Sequence, residues 1–275
     1  MPHSPLTLID PPKLQDASML LAFSGWMDGG EVSTGTVKHL LTCVDARKLA
    51  EIDPEGYYIY NFPGSMEISA LFRPTVKYEA GLIESFDEPQ NVFHVDEARK
   101  LVLFTGKEPN LNWRAFGDHI LEVARAVGVT RIVFVGSFGG SVPHTREPRL
   151  FASVSHPRLK AGLERYGVRW SDYEGPASFV THLVRRAPEA GLEVASIAAE
   201  IPGYLNGANP LSIEAVTRRL ASMLHLDVDL AAMRVASDEW SAQVSELVEK
   251  DAKLRKHIEK LERAYDEELM GAAGE

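Results

Sequence analysis

Arg131–Pro148 reads RIVFVGSFGGSVPHTREP, and the reading of this stretch decides the fold class. Ile132-Val133-Phe134-Val135 is too short and too β-branched for a free helix, and it predicts a buried parallel strand. At Gly136 the apolar run stops, and glycines, hydroxyls, a histidine and charged residues follow. Ligands and partners of open α/β sheets meet the loops at the carboxyl ends of such strands. Gly136, Gly139 and Gly140 are expected to allow a tight turn and close backbone approach. Ser137, Ser141, His144, Thr145, Arg146 and Glu147 bring polar chemistry to the same place.

The pattern recurs along the chain. Met19–Phe23 precedes SGWMDGG, Leu101–Phe104 precedes TGKEPN, and Val194–Ala198 precedes AEIPGYLNGANP. Helical patterns lie between these runs, at Glu31–Val44, Arg114–Val127, Pro157–Tyr166 and Ser178–Glu189. Short strands alternating with helices imply βαβ units and an α/β fold, a mainly parallel sheet with helices on both faces. Residues 1–235 are expected to form this α/β/α domain. Within it, 57–95 breaks the rhythm, with β-like pieces at Tyr57–Tyr60, Thr75–Tyr78, Leu82–Phe86 and Val92–Val95 separated by turn signals. This segment reads as a β meander that extends the sheet or forms an arm.

Leu211–Met223 predicts a further helix, and the tail then changes character. Trp240, Val244, Leu247, Leu254, Ile258, Leu261 and Tyr265 recur at spacings of four and three, with Asp251 at the one polar position of the stripe. Residues 236–275 therefore read as a long amphipathic helical extension of about four heptads that needs a partner surface on its own or a sister chain. Gly271–Glu275 is expected to fray.

Composition bounds the function. The 275 residues carry a formal net charge of -10, which argues against sequence-independent nucleic-acid binding and against an acidic lipid surface. The single cysteine, Cys43, excludes an internal disulfide and fits a reducing cytoplasm. No signal peptide or membrane span is expected, since MPHSPLTLIDPP lacks a basic region followed by an apolar core. The nine histidines show no metal-ligand spacing, and neither a GxGxxG nor a phosphate-loop motif is present, so neither metal nor cofactor is expected.

Four constellations could carry chemistry. In SGWMDGG, Trp26 and Asp28 sit where a strand turns into a helix; Asp28 either caps that helix or helps hold an anion. In TGKEPN, Lys107 can meet a phosphate or carboxylate, and Asn110 offers a helix cap. In the opening loop, Gly136-Ser137-Phe138-Gly139 does not match the GxSxG elbow. His144 there lacks an identifiable acid and nucleophile, and Arg146 either pairs across a contact or binds an anion. Finally, Glu174 and Glu200 each adjoin a Gly/Pro turn; sharing one pocket would shift their pKa values apart. Asn209 closes the last loop before the Leu211 helix.

FSGWMDGG, GSFGGSVPHTREP, YEGPASFVTHL and EIPGYLNGANPLS, in this order, resemble the bacterial branch of the proteasome assembly chaperone 2 family over roughly Leu6–Met233. The resemblance implies a phosphorylase/hydrolase-like three-layer α/β/α fold and a homo-oligomer, with a trimer favoured. It also implies a non-catalytic interaction or assembly role, conceivably with a proteasome component as partner. Relatives commonly carry histidine where this chain has Gly203, so any chemistry of that histidine is absent here. The alternative is a small-molecule hydrolase or phosphorylase at the strand-end pocket. Arg146 would then bind an anionic group, a glutamate would act as acid or base, and the Gly136–Ser141 backbone would stabilise negative charge.

Overall fold

A computed structural model describes residues 4–272. The strands are β1 (Leu6–Leu8), β2 (Ala17–Ser24), β3 (Arg47–Ile52), β4 (Thr75–Glu79), β5 (Leu82–Asp87), β6 (Asn91–Asp96), β7 (Leu101–Lys107), β8 (Val129–Gly140), β9 (Leu150–Val154), β10 (Val168–Trp170) and β11 (Glu193–Pro202). The helices are α1 (Val32–Cys43), α2 (Met66–Ala70), α3 (Trp113–Val127), α4 (Lys160–Glu164), α5 (Phe179–Arg186), α6 (Pro210–Met223), α7 (Ala231–Glu249) and α8 (Ala252–Ala272). Of the tail end expected to fray, 273–275 lie outside the described residues.

Nine strands form one sheet in the order β1-β3-β6-β7-β2-β8-β11-β9-β10. Its centre, β7-β2-β8-β11, is parallel. Antiparallel pairs flank it on both sides, and β10 joins β9 in parallel. Central strands are apolar on both sides because helices cover both faces. On β2, Met19, Leu21 and Phe23 enter one core with α3 and α5, while Leu20 and Ala22 enter the other with α1 and α6. Phe23 anchors the first core, with ring centroids 5.0 Å from Phe104 and 5.4 Å from Phe179. The three-layer α/β/α expectation holds.

Three local expectations are corrected. First, the glycines after Val135 do not turn the chain: β8 continues to Gly140, pairing with β11 until Gly140 lies opposite Pro202. Glycine serves close approach there, since a Cβ on Gly140 would stand 2.3 Å from a Glu200 carboxylate oxygen. Second, Tyr57–Tyr60 is not a strand. The Tyr57 carbonyl accepts from the Asn110 and Leu111 amides, and Asn110 binds the Ile59 amide with its side chain instead of capping α3. Of the segment 57–95, β6 joins the central sheet, while β4 and β5 pair only with each other.

Third, the tail is two helices rather than one. The Asp251 carboxylate accepts from the Lys253 and Leu254 amides at 2.9 and 3.0 Å, which starts a new helix and reverses the stripe. A small cluster of Val244, Val248 and Ile258 joins α7 to α8 against Tyr204 and Leu205. The pair thus packs on the loops of its own chain.

Candidate functional site

The loops after β2, β8 and β11 meet at the carboxyl end of the parallel centre, as such sheets require. Asp28 bridges to Ser137, whose amide donates to the Met27 carbonyl at 2.8 Å. The Ser137 hydroxyl is buried and donates to the Gly29 carbonyl at 2.6 Å. It ties the end of β8 to the loop after β2. The Asp28 carboxylate takes both the amide and the hydroxyl of Thr34, at 3.0 and 2.7 Å, and so satisfies the first turn of α1. Burial raises its pKa, and these bonds work against the rise. Asn209 caps α6 through the Ser212 amide, and its own amide donates to the Gly30 carbonyl.

His144 is the most enclosed of the candidate side chains on the β8–β9 connection. Its amide donates to the Tyr204 hydroxyl oxygen at 2.8 Å, so that hydroxyl has its proton free for Nδ1 at 2.7 Å. Nε2 then donates to Ser245 Oγ at 3.1 Å, and Ser245 donates onward to the Ser241 carbonyl. Each donor meets an acceptor only if the imidazole is neutral. Burial lowers the His144 pKa, in keeping with that chain, although Glu262 opposes the shift. Burial also pushes the Tyr204 phenol up to about 12.

The charged candidates are tied to α8. Arg146 meets Asp266 through two bonds of 2.9 and 2.8 Å, so of its two readings it takes the ion pair, and within its own chain. The Asp266 bonds raise its pKa further. Glu200 accepts from the Ser141 amide at 2.7 Å and pairs with Arg149 at 3.1 Å; both partners of that pair are nearly buried. Removing one partner of such a pair costs about 3–5 kcal/mol, because the other charge stays buried and alone. Arg149 reaches Glu268 as well, and Arg169 pairs with the same carboxylate.

Glu174 is exposed on the segment after β10 and is not among the hydrogen-bond partners of Glu200, so the structure does not bring the two carboxylates together. Lys107 also stands apart. It lies at the end of β7, its ammonium 5.9 Å from the Tyr58 ring centroid, and burial lowers its pKa. Gly203 packs on the end of β8, where a Cβ would stand 3.0 Å from the Gly140 carbonyl oxygen. A histidine there requires the β8 end to move.

Glu108, Arg149 and Tyr204 were missed as site-forming residues. Glu108 binds the Trp26 amide at 3.1 Å and the Phe179 amide at 2.7 Å, joining the loop after β2 to the start of α5. Its place in TGKEPN beside Lys107 was the available signal. Beneath Trp26 lies a cleft of about 780 Å³, lined by residues from β8, β9, β11, α5 and the segment after β10. Among the described residues there is no cluster of three or more His, Cys, Asp or Glu side chains that could hold a metal. No described helix is long and apolar enough to cross a membrane.

Comparison with known proteins places this architecture. A Mycobacterium tuberculosis protein of unknown function matches with a TM-score of 0.84 at 22% identity, over 100% of this chain and 92% of that one. A Mycobacterium tuberculosis proteasome-assembly chaperone homologue matches with a TM-score of 0.75 at 26% identity, over 88% and 99%. An archaeal proteasome activator from Pyrococcus furiosus matches with a TM-score of 0.64 at 19% identity, over 89% and 97%. No curated protein matches. The family model described as PAC2 family matches residues 22–248, a span that takes in every loop of the site, and the chain belongs to that family.

Proposed function

We propose that this chain is a non-catalytic assembly factor of the cytoplasm that works as a homo-oligomer, a trimer, and holds a protein partner. The observation that carries the reading is the arm between Phe62 and Phe86. It bears nine of the seventeen large apolar side chains that are exposed among the described residues, including Met66, Leu71, Tyr78, Leu82 and Phe86. Exposed apolar side chains concentrated on one segment in this way point to an interaction surface. Family membership supports the reading, as does the likeness to a proteasome-assembly chaperone homologue. The groups that a hydrolase or phosphorylase would need are engaged in structural bonds: Ser137 with Gly29, His144 with Tyr204 and Ser245, Arg146 with Asp266.

The test is native mass by light scattering, alone and with recombinant proteasome α-subunits, for the chain and for a triple arm variant (Tyr78→Ser, Leu82→Ser, Phe86→Ser). The expected result is a trimer that takes up α-subunits, with one or both associations lost in the variant. A chain that stays monomeric at every concentration and leaves the α-subunits unbound overturns the proposal.

A further inference from the structure

Sheets with a parallel centre are normally covered on both faces, yet here the face of β8, β11 and β9 beside α5 is open. Ser196 sits mid-strand in β11 and is only half-buried, and Ser153 on β9 is exposed. The opening is the cleft of about 780 Å³, inside the ~300–1,000 Å³ range of small-molecule sites. Phe138 and Phe151 meet edge to face in it, with centroids 5.6 Å apart. Trp170 lines it from the end of β10, Tyr173 from the segment that follows, and Trp26 from the loop after β2. Trp26 and Tyr173 are 64% and 67% exposed, so flat rings stand at the rim without a protein partner to cover them.

The rim is held in place before any ligand arrives. Glu108 fixes the Trp26 loop and the first amide of α5 with one carboxylate. The Tyr173 hydroxyl donates to the Pro176 carbonyl at 3.2 Å, closing its own loop. Charge then narrows the ligand. The residues lining the cleft include neither lysine nor arginine, and Asp172 is the one carboxylate. Lys160 and Arg169 lie over the Trp170 and Phe151 rings and are not among the lining residues, so an anion entering would lose hydration with no lining cation to replace it. The polar groups on offer are neutral hydroxyls, among them Ser153, Thr181 and Ser196.

We infer that this cleft binds a small uncharged molecule with a flat aromatic body and neutral hydrogen-bonding groups at its edge. The body stacks among the rings of the rim and floor, and its edge meets the hydroxyls. The site is separate from the arm and does not rest on the assembly reading.

The test uses Nile red, an uncharged flat dye, with the full chain. The dye is titrated and then displaced by 2-naphthol, by naphthalene-2-sulfonate and by naphthylmethylammonium. Saturable binding is expected, with 2-naphthol displacing the dye at concentrations roughly tenfold below either charged analogue. Ser196→Trp, which fills the floor, and Trp170→Ala, which removes a wall, are each expected to weaken the dye by roughly tenfold or more. The triple arm variant is expected to leave dye binding unchanged. Dye binding by both cleft variants as tight as by the parent, or a preference for either ion, overturns the inference. A dye signal that rises in the arm variant overturns it too, because a second copy's arm would then be the occupant. A signal that vanishes in the arm variant assigns the dye to the arm, with the same consequence.

Discussion

A buried imidazole that serves as acceptor on one side and donor on the other has to stay neutral, and His144 is held in that state. Its pKa in the fold lies below the ordinary 6.5 because burial disfavours the charged ring. The unfolded chain therefore takes up a proton as pH falls through that ordinary value, while the folded chain refuses it. The stability contributed by neutral His144 is fully present above pH 6.5 and is lost as pH falls toward the lowered folded value. His94 and His182 are lowered by burial as well and act in the same direction. The variant His144→Gln isolates the contribution: its midpoint of thermal unfolding is expected to fall less steeply with acid than that of the parent. Parallel pH profiles for the two proteins would sink this account. The sequence marked His144 as a loop histidine without a nucleophile or acid, and that was as far as it reached. Its partners come from positions 204 and 245, which no local pattern links to 144.

At the level of elements, the apolar runs of β2, β7, β8 and β11 were legible because central strands bury both faces and show it as continuous hydrophobicity. Edge and flanking strands were harder to read. β3, RKLAEI, exposes its charged start and gives no such run. The heptad-like stripe of the tail was also legible, but its reversal was not, since hydrophobic spacing continues across the break. Asp251 was the one polar residue in the stripe, and it caps α8. α8 rests on few buried apolar side chains and on ion pairs from Arg146, Arg149 and Arg169 to its carboxylates. Asp251→Ala is therefore expected to loosen the start of α8 and to speed hydrogen exchange in α8 ahead of the sheet. Raising salt from about 0.1 to about 1 M shortens the screening length from roughly 10 to 3 Å and should act in the same direction. If α8 exchanges no faster under either change, the helix is not held by its cap and charges.

On the scale of the whole molecule, a closed core coexists with an arm that has no sheet to lean on. β4 is exposed throughout, and β5 is exposed at all but one position. A two-stranded hairpin alone is marginally stable in water; under the proposed assembly role, another chain covers its apolar surface and keeps it ordered. The break in rhythm at 57–95 made the arm legible as an excursion; under the proposed role its partner surface lies on a different molecule, which no local pattern names. Hydrogen exchange tests the requirement directly. At about 1 µM protein the amides of 75–87 are expected to exchange freely, and at about 100 µM, or with bound α-subunits, to be slowed roughly tenfold. The amides of β2 and β8 serve as the internal standard and should exchange at the same rate in all three conditions. Free exchange of the arm in every condition, with the oligomer shown present by mass, would take the arm out of the interface.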